Sequence, residues 1–482
     1  MNSDRGRISI DLCKIHRYDD LAVDLREKLS RLRAASPPVT SSRTVHLDES
    51  IEPFEAVRTD LVQQNGSINT ARAEIGDLIS GTHRQSAEGQ CFVAESIFPL
   101  DHVHAGIAVS DILDQAGASF ALLTGDPRLR DLDLRRTILI DTETTGLAGG
   151  TGTYAFLIGL GYFADGAFRI DQFFMRHPGH ERAMLQAVGE TLSQFDAVVS
   201  FNGKCFDWPL IETRHTYHRL PLKPRTPMHL DLLFPSRRLF RRRLSSCSLG
   251  SLEQSVLGLP GRVDDVPGWL IPQIYFDFLH YEDPWPLVPV FHHNRRDILS
   301  MLSLATRMSR HVTDPEDAMI SEASDLFSLG RLLDDAGNIE AALVQYERAL
   351  AAHSARNPST DRQHSKSNSS TEQHEILTRI ANAYKRLKRS DRASLLWETL
   401  IANGVNCTHP YVELAKHREH KQGDFLSAVR LTEDALILHK TLRTHIPHGR
   451  YEMEQMMLRH RLFRLKEKMS RNSGTDSTIA TD

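Results

Sequence analysis

The chain changes its period near residue 310, and that change limits it to two architectures joined in series. Before it, short apolar runs at 138–141, 154–163, 168–174 and 197–201 read as strands. A helical spacing over 181–195, carried by Met184, Leu185, Val188 and Leu192, lies among them. Gly166, between the second and third runs, predicts a hairpin. Strands first, then strand alternating with helix, predict an α/β domain with a mixed sheet flanked by helices. After residue 310 the pattern is helical throughout. Segment 321–352 reads as helix, turn at Gly337 and Asn338, then helix.

Later segments echo that unit. The first has Gly330, Leu333, Gly337, Ala342, Tyr346 and Ala349. The second has Ala381, Tyr384, Ala393, Trp397 and Leu400 at similar offsets, and a third has Lys416, Gly423, Ala428 and Ala435. Small residues where paired helices meet, with large ones at the next ridge, are what a helical-pair repeat requires. The pattern resembles tetratricopeptide repeats, which implies a surface for a protein partner. The expected layout is an accessory or partly disordered region at 1–85, an α/β domain at 90–310, repeats at 320–445 and a polar disordered tail at 470–482. A Ser/Asn/His-rich insertion at about 353–374 is expected to be disordered.

Composition narrows the function classes. The 482 residues are 40% hydrophobic and 25% charged, ordinary values for a globular chain. The net charge of −4 excludes a polycation, so any nucleic-acid contact needs a local basic patch. Five scattered cysteines form no Cys-x-x-Cys pair, which argues against a zinc site or a disulfide framework. The start of the chain lacks a secretory signal pattern, and 154–163 is too short to span a membrane, so a cytoplasmic protein is expected.

The chemistry gathers at Asp141 and Glu143, which follow the run Thr137, Ile138, Leu139, Ile140. Carboxylates two residues apart on a strand share a face. At a buried strand end they suit a divalent cation better than a core. Asp207 follows the run ending at Phe201, where the chain turns into a helix whose first turn takes Pro209. His292, His293 and Asp297 open an apolar helix. Asp231 reads as a structural carboxylate beneath the site.

In that order, Asp141-x-Glu143, Asn202 with Phe206-Asp207, and a histidine before Asp297 resemble the three motifs of the DEDD 3′–5′ exonuclease superfamily, on a ribonuclease-H-like fold. More narrowly, several segments are similar to the YprB-type ribonuclease-H-like domain. They are Asn202-Gly-Lys204, His229-Leu-Asp231-Leu232, Cys247-Ser-Leu249, Asp264 to Gly268 with Ile271-Pro272 and Tyr275-Phe276, and His293-Asn294 with Asp297. The resemblance spans roughly residues 90–310. It implies that Asp141, Glu143, Asp207 and Asp297 hold two Mg²⁺ or Mn²⁺ ions. Two such ions about 4 Å apart supply a nucleophilic water and stabilise the leaving oxygen. A histidine takes the water's proton. His293 stands one helical turn from Asp297, whereas His292 has the other spacing known in that superfamily, and both stay open.

Between Arg219 and Arg243 stand eight Lys/Arg residues and one acid, Asp231. Lys204, Arg237, Arg238, Arg241, Arg242 and Arg243 are the expected phosphate contacts on DNA or RNA, with little base specificity. Trp208 and Phe240 are the expected stacking faces. The glycine-rich stretch 146–152 lacks the Gly-Lys-Ser/Thr ending of a phosphate loop and reads as a flexible turn. Cys205 reads as a small buried residue. The leading expectation is a metal-dependent 3′–5′ exonuclease. The alternatives are a nucleic-acid-binding adaptor that does not cut, or a ribonuclease-H-like endonuclease.

Overall fold

The structure is a computed structural model that describes residues 74–146, 152–262, 265–314, 321–356 and 366–475. All of them fall within one compact unit, residues 59–482. Most of the accessory region, most of the glycine-rich stretch and residues 357–365 of the expected insertion lie outside the described residues.

Helix α1 (Ile75–Leu78) leads into β1 (Gly81–Ser86) and β2 (Gly89–Pro99), then a small ribbon of β3 (Val103–His104) and β4 (Ile107–Ala108). Next come α2 (Gly117–Thr124), β5 (Thr137–Thr144), β6 (Ala155–Ala164), β7 (Ala167–Phe174), α3 (Glu181–Leu192), β8 (Ala197–Ser200), α4 (Asp207–Tyr217) and β9 (Met228–Asp231). Helices α5 (Leu233–Phe240), α6 (Leu249–Ser255), α7 (Ile271–Tyr281) and the long α8 (Val288–Thr313) complete this half. The seven-stranded sheet has the order β1-β2-β7-β6-β5-β8-β9. β8 and β9 run parallel to β5, and β6 runs antiparallel to it. This is the ribonuclease-H-like mixed sheet, extended at one edge by β1 and β2. The domain therefore begins before residue 81, earlier than the sequence pattern suggested, because β1 is mostly exposed and carries no apolar alternation.

Strand alternation builds the two layers. Ile138 and Ile140 join the core beneath α3 and α7, with Phe156, Met184, Val188 and Tyr275. Leu139 joins the opposite core, with Ile298, Met301 and Leu302 of α8. Two glycines of β6 let α8 come down on the sheet. A Cβ on Gly159 would sit 2.2 Å from Asn294 Oδ1, and one on Gly161 would sit 2.5 Å from Ile298 Cγ2. No side chain fits there, so the helix axis lies close enough to bring Asn294 and Asp297 to the end of β5.

The remaining helices are α9 (Ala323–Asp335), α10 (Ile339–Arg356), α11 (Lys366–Arg386), α12 (Ser390–Ala402), α13 (His409–His417), α14 (Phe425–Thr441) and α15 (His448–Thr475). They form an all-helical region consistent with a repeat domain. Gly330 faces the Tyr346 ring across the first pair, and Gly337, at φ +84°, makes the tight turn between α9 and α10. The core of the sheet's α8 side continues into Leu326, Phe327 and Tyr346. Two sequence expectations change here. The insertion is helical at both ends, through residue 356 and again from residue 366, and α15 runs to Thr475, into the expected tail. Polar composition hid α15, which buries Tyr451, Leu458 and Leu465 and is tied to the buried Glu419. Glu419 accepts from Arg464 Nη2 at 2.8 Å and Lys468 Nζ at 2.7 Å. Among the described residues no helix is long and apolar enough to cross a membrane.

Candidate active site

β5 leaves the core at its C-terminal end, where burial falls off from Asp141 onward. Asp141 and Glu143 lie on the face of Leu139, toward α8, opposite Gly159 and Leu157 of β6. Thr142 lies on the other face and donates to Asp207 Oδ1 at 2.5 Å. Asp207 opens α4 after a tight turn. A Cβ on Gly203 would meet Ser200 Oγ at 2.4 Å and Asp207 Oδ2 at 2.9 Å, so glycine allows that turn to close. Asp231 organises the same loop from below. It accepts from the backbone N–H groups of Asn202 at 2.8 Å, Leu233 at 3.0 Å and Lys204 at 3.1 Å.

From α8, Asn294 donates to Asp141 Oδ2 at 2.8 Å and accepts from Gln172 Nε2 at 2.8 Å. Asp297 lies one turn further on. His293 Nε2 is 3.7 Å from Asp297 Oδ2, and its Nδ1 meets Asp265 Oδ2 at 2.8 Å. His292 is exposed and engages Arg295 instead. Of the two histidines, His293 is the one beside the carboxylates.

The four carboxylates act on one another electrostatically. Burial, then the charges of Asp297, Glu143 and Asp207, lifts Asp141 well above the usual carboxylate range. Burial, then Asp297 and Asp207, pushes Glu143 up to about 8. Burial raises Asp207 to about 6 against the Thr142 hydrogen bond. Burial also raises Asp297, opposed by His293 and Arg262. Burial tends to neutralise His293, but its hydrogen bond to Asp265 and the Asp297 charge outweigh that and raise its pKa.

This donor set suits a divalent cation, which would remove the repulsion that now holds protons on the carboxylates. Its present geometry is not a closed cage. Among the described residues no three His, Cys, Asp or Glu side chains are arranged to hold one metal ion. Asp141 is tied to Asn294, Asp207 to Thr142 and Asp297 to Arg262.

Arg262 and Asp265 carry no sequence signal of their own. They come from the loop after α6 and reach the site only through the fold. Asp265 belongs to a segment that carried the family resemblance, which was the one available hint; Asp264 lies outside the described residues.

The basic residues divide into two groups. Lys204, Arg237 and Arg238 line one cavity of about 520 Å³, together with Phe234, Thr124 and the carboxylates Asp126 and Asp231. Lys204 and Arg237 make no side-chain hydrogen bond or ion pair among the described residues, whereas Arg238 donates to the Leu123 carbonyl at the end of α2 at 2.9 Å. Arg241 donates to the Ser245 carbonyl. Arg242 pairs with Glu375 at 2.9 Å and lies 4.6 Å over the Phe327 ring, and Arg243 pairs with Asp325 at 2.7 Å. Those two arginines fasten the helical region to the sheet domain. Trp208 is 7% exposed and Phe240 2%, so neither is a stacking face. The exposed aromatics nearby are Phe206, at 55%, and Phe234, at 45%. Cys205 is exposed, not buried.

Residues 138–309 match the RNase_H superfamily. That assignment supports a nuclease, a class of hydrolase that binds nucleic acid, and such nucleases typically use divalent metals. The chain is also 32% identical over 392 residues to the uncharacterized protein YprB of Bacillus subtilis (strain 168), a match covering 79% of this chain and 86% of that protein. The order β7-β6-β5-β8-β9, with β6 antiparallel to the strands around it, carries the acidic residues at the ends of the central strands. Sheet topology, the matched domain and sequence identity agree: the chain belongs to the YprB family, built on an RNase H-superfamily domain.

Proposed function

We propose that this protein is a divalent-metal-dependent nuclease that removes nucleotides from a 3′ end, joined to a tetratricopeptide-like region that binds a protein partner. The observation that carries the reading is the mutual electrostatic influence of Asp141, Glu143, Asp207 and Asp297 in one half-buried site with His293 beside them. These four carboxylates would hold two Mg²⁺ or Mn²⁺ ions, which supply an activated water and charge stabilisation of the leaving oxygen. The chain's own groups do the rest. Asp265 accepts the Nδ1 proton of His293, which leaves Nε2 to take a proton from the attacking water. Asn294 orients Asp141, and Thr142 orients Asp207. Lys204 and Arg237 offer unpaired charges to the phosphates, and Phe206 and Phe234 offer ring faces to unstacked bases.

The adaptor reading draws on one observation, the Arg262 guanidinium on Asp297. One assay separates the readings. The protein and an Asp141→Asn control are incubated with 5′-labelled single- and double-stranded DNA and RNA, with Mg²⁺ or Mn²⁺. The expected result is a ladder shortening from the 3′ end with the unaltered protein alone. Internal fragments would make it an endonuclease, and identical products from the two proteins on every substrate would remove the enzymatic reading.

The basic cavity has its own test. The Lys204→Ala, Arg237→Ala double variant is expected to bind a labelled oligonucleotide about tenfold more weakly at low salt. The slope of log affinity against log salt should fall by about 2. Arg242→Ala should leave that slope unchanged, because Arg242 is held by Glu375 and Phe327. Equal losses from both variants would mean that the cavity is not the phosphate site.

A further inference from the structure

Arg262 is the most heavily engaged cation near the acidic site. Its Nε and Nη2 donate to the two oxygens of Glu253, each at 2.7 Å. Its Nη1 donates to Asp265 Oδ2 at 2.9 Å and lies 3.2 Å from His293 Nδ1. Its Nη2 also donates to Asp297 Oδ1. Glu253 is fully buried on α6 and is fixed in turn by Ser300 Oγ at 2.5 Å. The guanidinium is thus anchored from behind and directed at one of the four carboxylates.

The hydrogen-bond partners of Asp141 and Asp207 are neutral. Asp141 has the Asn294 amide and Asp207 the Thr142 hydroxyl, whereas Asp297 has a full positive charge. A divalent ion and a guanidinium on one carboxylate repel each other, so each weakens the other's hold on Asp297 even where they take different oxygens. The anchors make an exchange feasible. If Arg262 releases Asp297, it keeps both bonds to Glu253 and the bond to Asp265, so no buried charge is left without a partner.

We propose that Arg262 is a positioning residue that stands in for a cation on Asp297 and yields that carboxylate when a divalent metal enters. The inference rests on the metal-dependent reading and adds a competing occupant to it. It separates two tasks of the loop after α6: Asp265 orients His293, while Arg262 holds Asp297 until the ion arrives.

Direct metal binding tests it without reference to activity. Mn²⁺ alone is titrated into the full-length chain, with no nucleic acid present, and is followed by calorimetry and by the electron paramagnetic resonance signal of free Mn²⁺. Arg262→Ala is expected to bind Mn²⁺ roughly tenfold more tightly than the unaltered chain, because the competing charge is gone. The same variant without metal should melt at a lower temperature, because Glu253 and Asp297 lose their counter-charge. A merely structural arginine would lower stability and metal affinity together, so equal or weaker Mn²⁺ binding by Arg262→Ala overturns the proposal. If circular dichroism shows that this variant does not fold, Arg262→Lys decides. It keeps the charge but loses the planar fork, and it should bind Mn²⁺ about two- to threefold more tightly, with equal or weaker binding again negative. No Mn²⁺ binding by the unaltered chain or by any variant would end the metal-dependent reading too. Binding that is unaffected by Arg262 would end this inference alone.

Discussion

Asp141→Asn is expected to abolish phosphodiester hydrolysis and, in the same molecule, to raise the melting temperature of the metal-free protein. The two effects have one cause. Asp141 is half-buried beside Glu143, Asp207 and Asp297, and desolvation, then their charges, raise its pKa. A neutral side chain of the same shape removes one member of that repelling set. It also keeps an acceptor for the Asn294 amide, which now bonds Asp141 Oδ2 at 2.8 Å. Each kcal/mol of repulsion relieved should raise the midpoint by about 1 °C in a unit as large as residues 59–482. The loss of a metal-holding carboxylate removes several kcal/mol of transition-state stabilisation, a fall of at least ~10³-fold in rate. Calorimetry of the metal-free proteins, alongside single-turnover cleavage, reads both. If the variant lost stability together with activity, the carboxylates would be structural and not held against their own repulsion for a catalytic purpose.

The second large effect is on pH. Glu143 is pushed up to about 8 and Asp207 to about 6, with Asp141 and Asp297 also raised, while in the unfolded chain carboxylates release their protons near pH 4. Through these carboxylates the folded state binds more protons than the unfolded state between roughly pH 4 and pH 8. Buried histidines such as His104 and His229, lowered to about 4, act in the opposite sense below about pH 6.5, so a net fall in stability is expected above that point. His293 acts in the same sense. Its raised pKa gives stability that is present at low pH and lost as pH climbs through the folded value. Asp265 and Glu253, whose pKa values are lowered, weaken the fold only on the acid side of this window. The metal-free melting temperature should thus decline from about pH 6.5 to pH 8. Millimolar Mg²⁺ or Mn²⁺ should flatten the decline, with little effect near pH 4, where the carboxylates are already protonated. Scans at a series of pH values with and without metal measure this, and a level metal-free profile would contradict the burial and mutual repulsion described here.

How much of this was legible beforehand varies residue by residue. The relation of Asp141 to Glu143 was, because the alternation of a strand is a local property that survives any tertiary context. So were the mixed sheet and the helical region after it, since long periodic segments carry their own signal. The edge strand β1 was missed because an exposed strand need not alternate. Trp208 and Phe240 were misplaced as stacking faces for a related reason. Both are aromatic residues on helices beside the site, and only the packing of α4 and α5 decides which face of each is covered. The arginine run read as one basic surface, yet Asp325 and Glu375, more than 80 residues further along, divert Arg243 and Arg242 to the helical region.

By itself the sequence determined the architecture in two parts, the shared face of Asp141 and Glu143, and the order in which Asp207 and Asp297 follow them. These are properties of spacing, and spacing along a strand or helix is spatial position. Only the tertiary structure decided what each of those carboxylates touches. Gly159 and Gly161 let α8 descend until Asn294 reaches Asp141, and the loop after α6 brings Arg262 to Asp297 from 35 residues away. Such meetings depend on how closely layers pack and where a loop returns, and no local pattern encodes either.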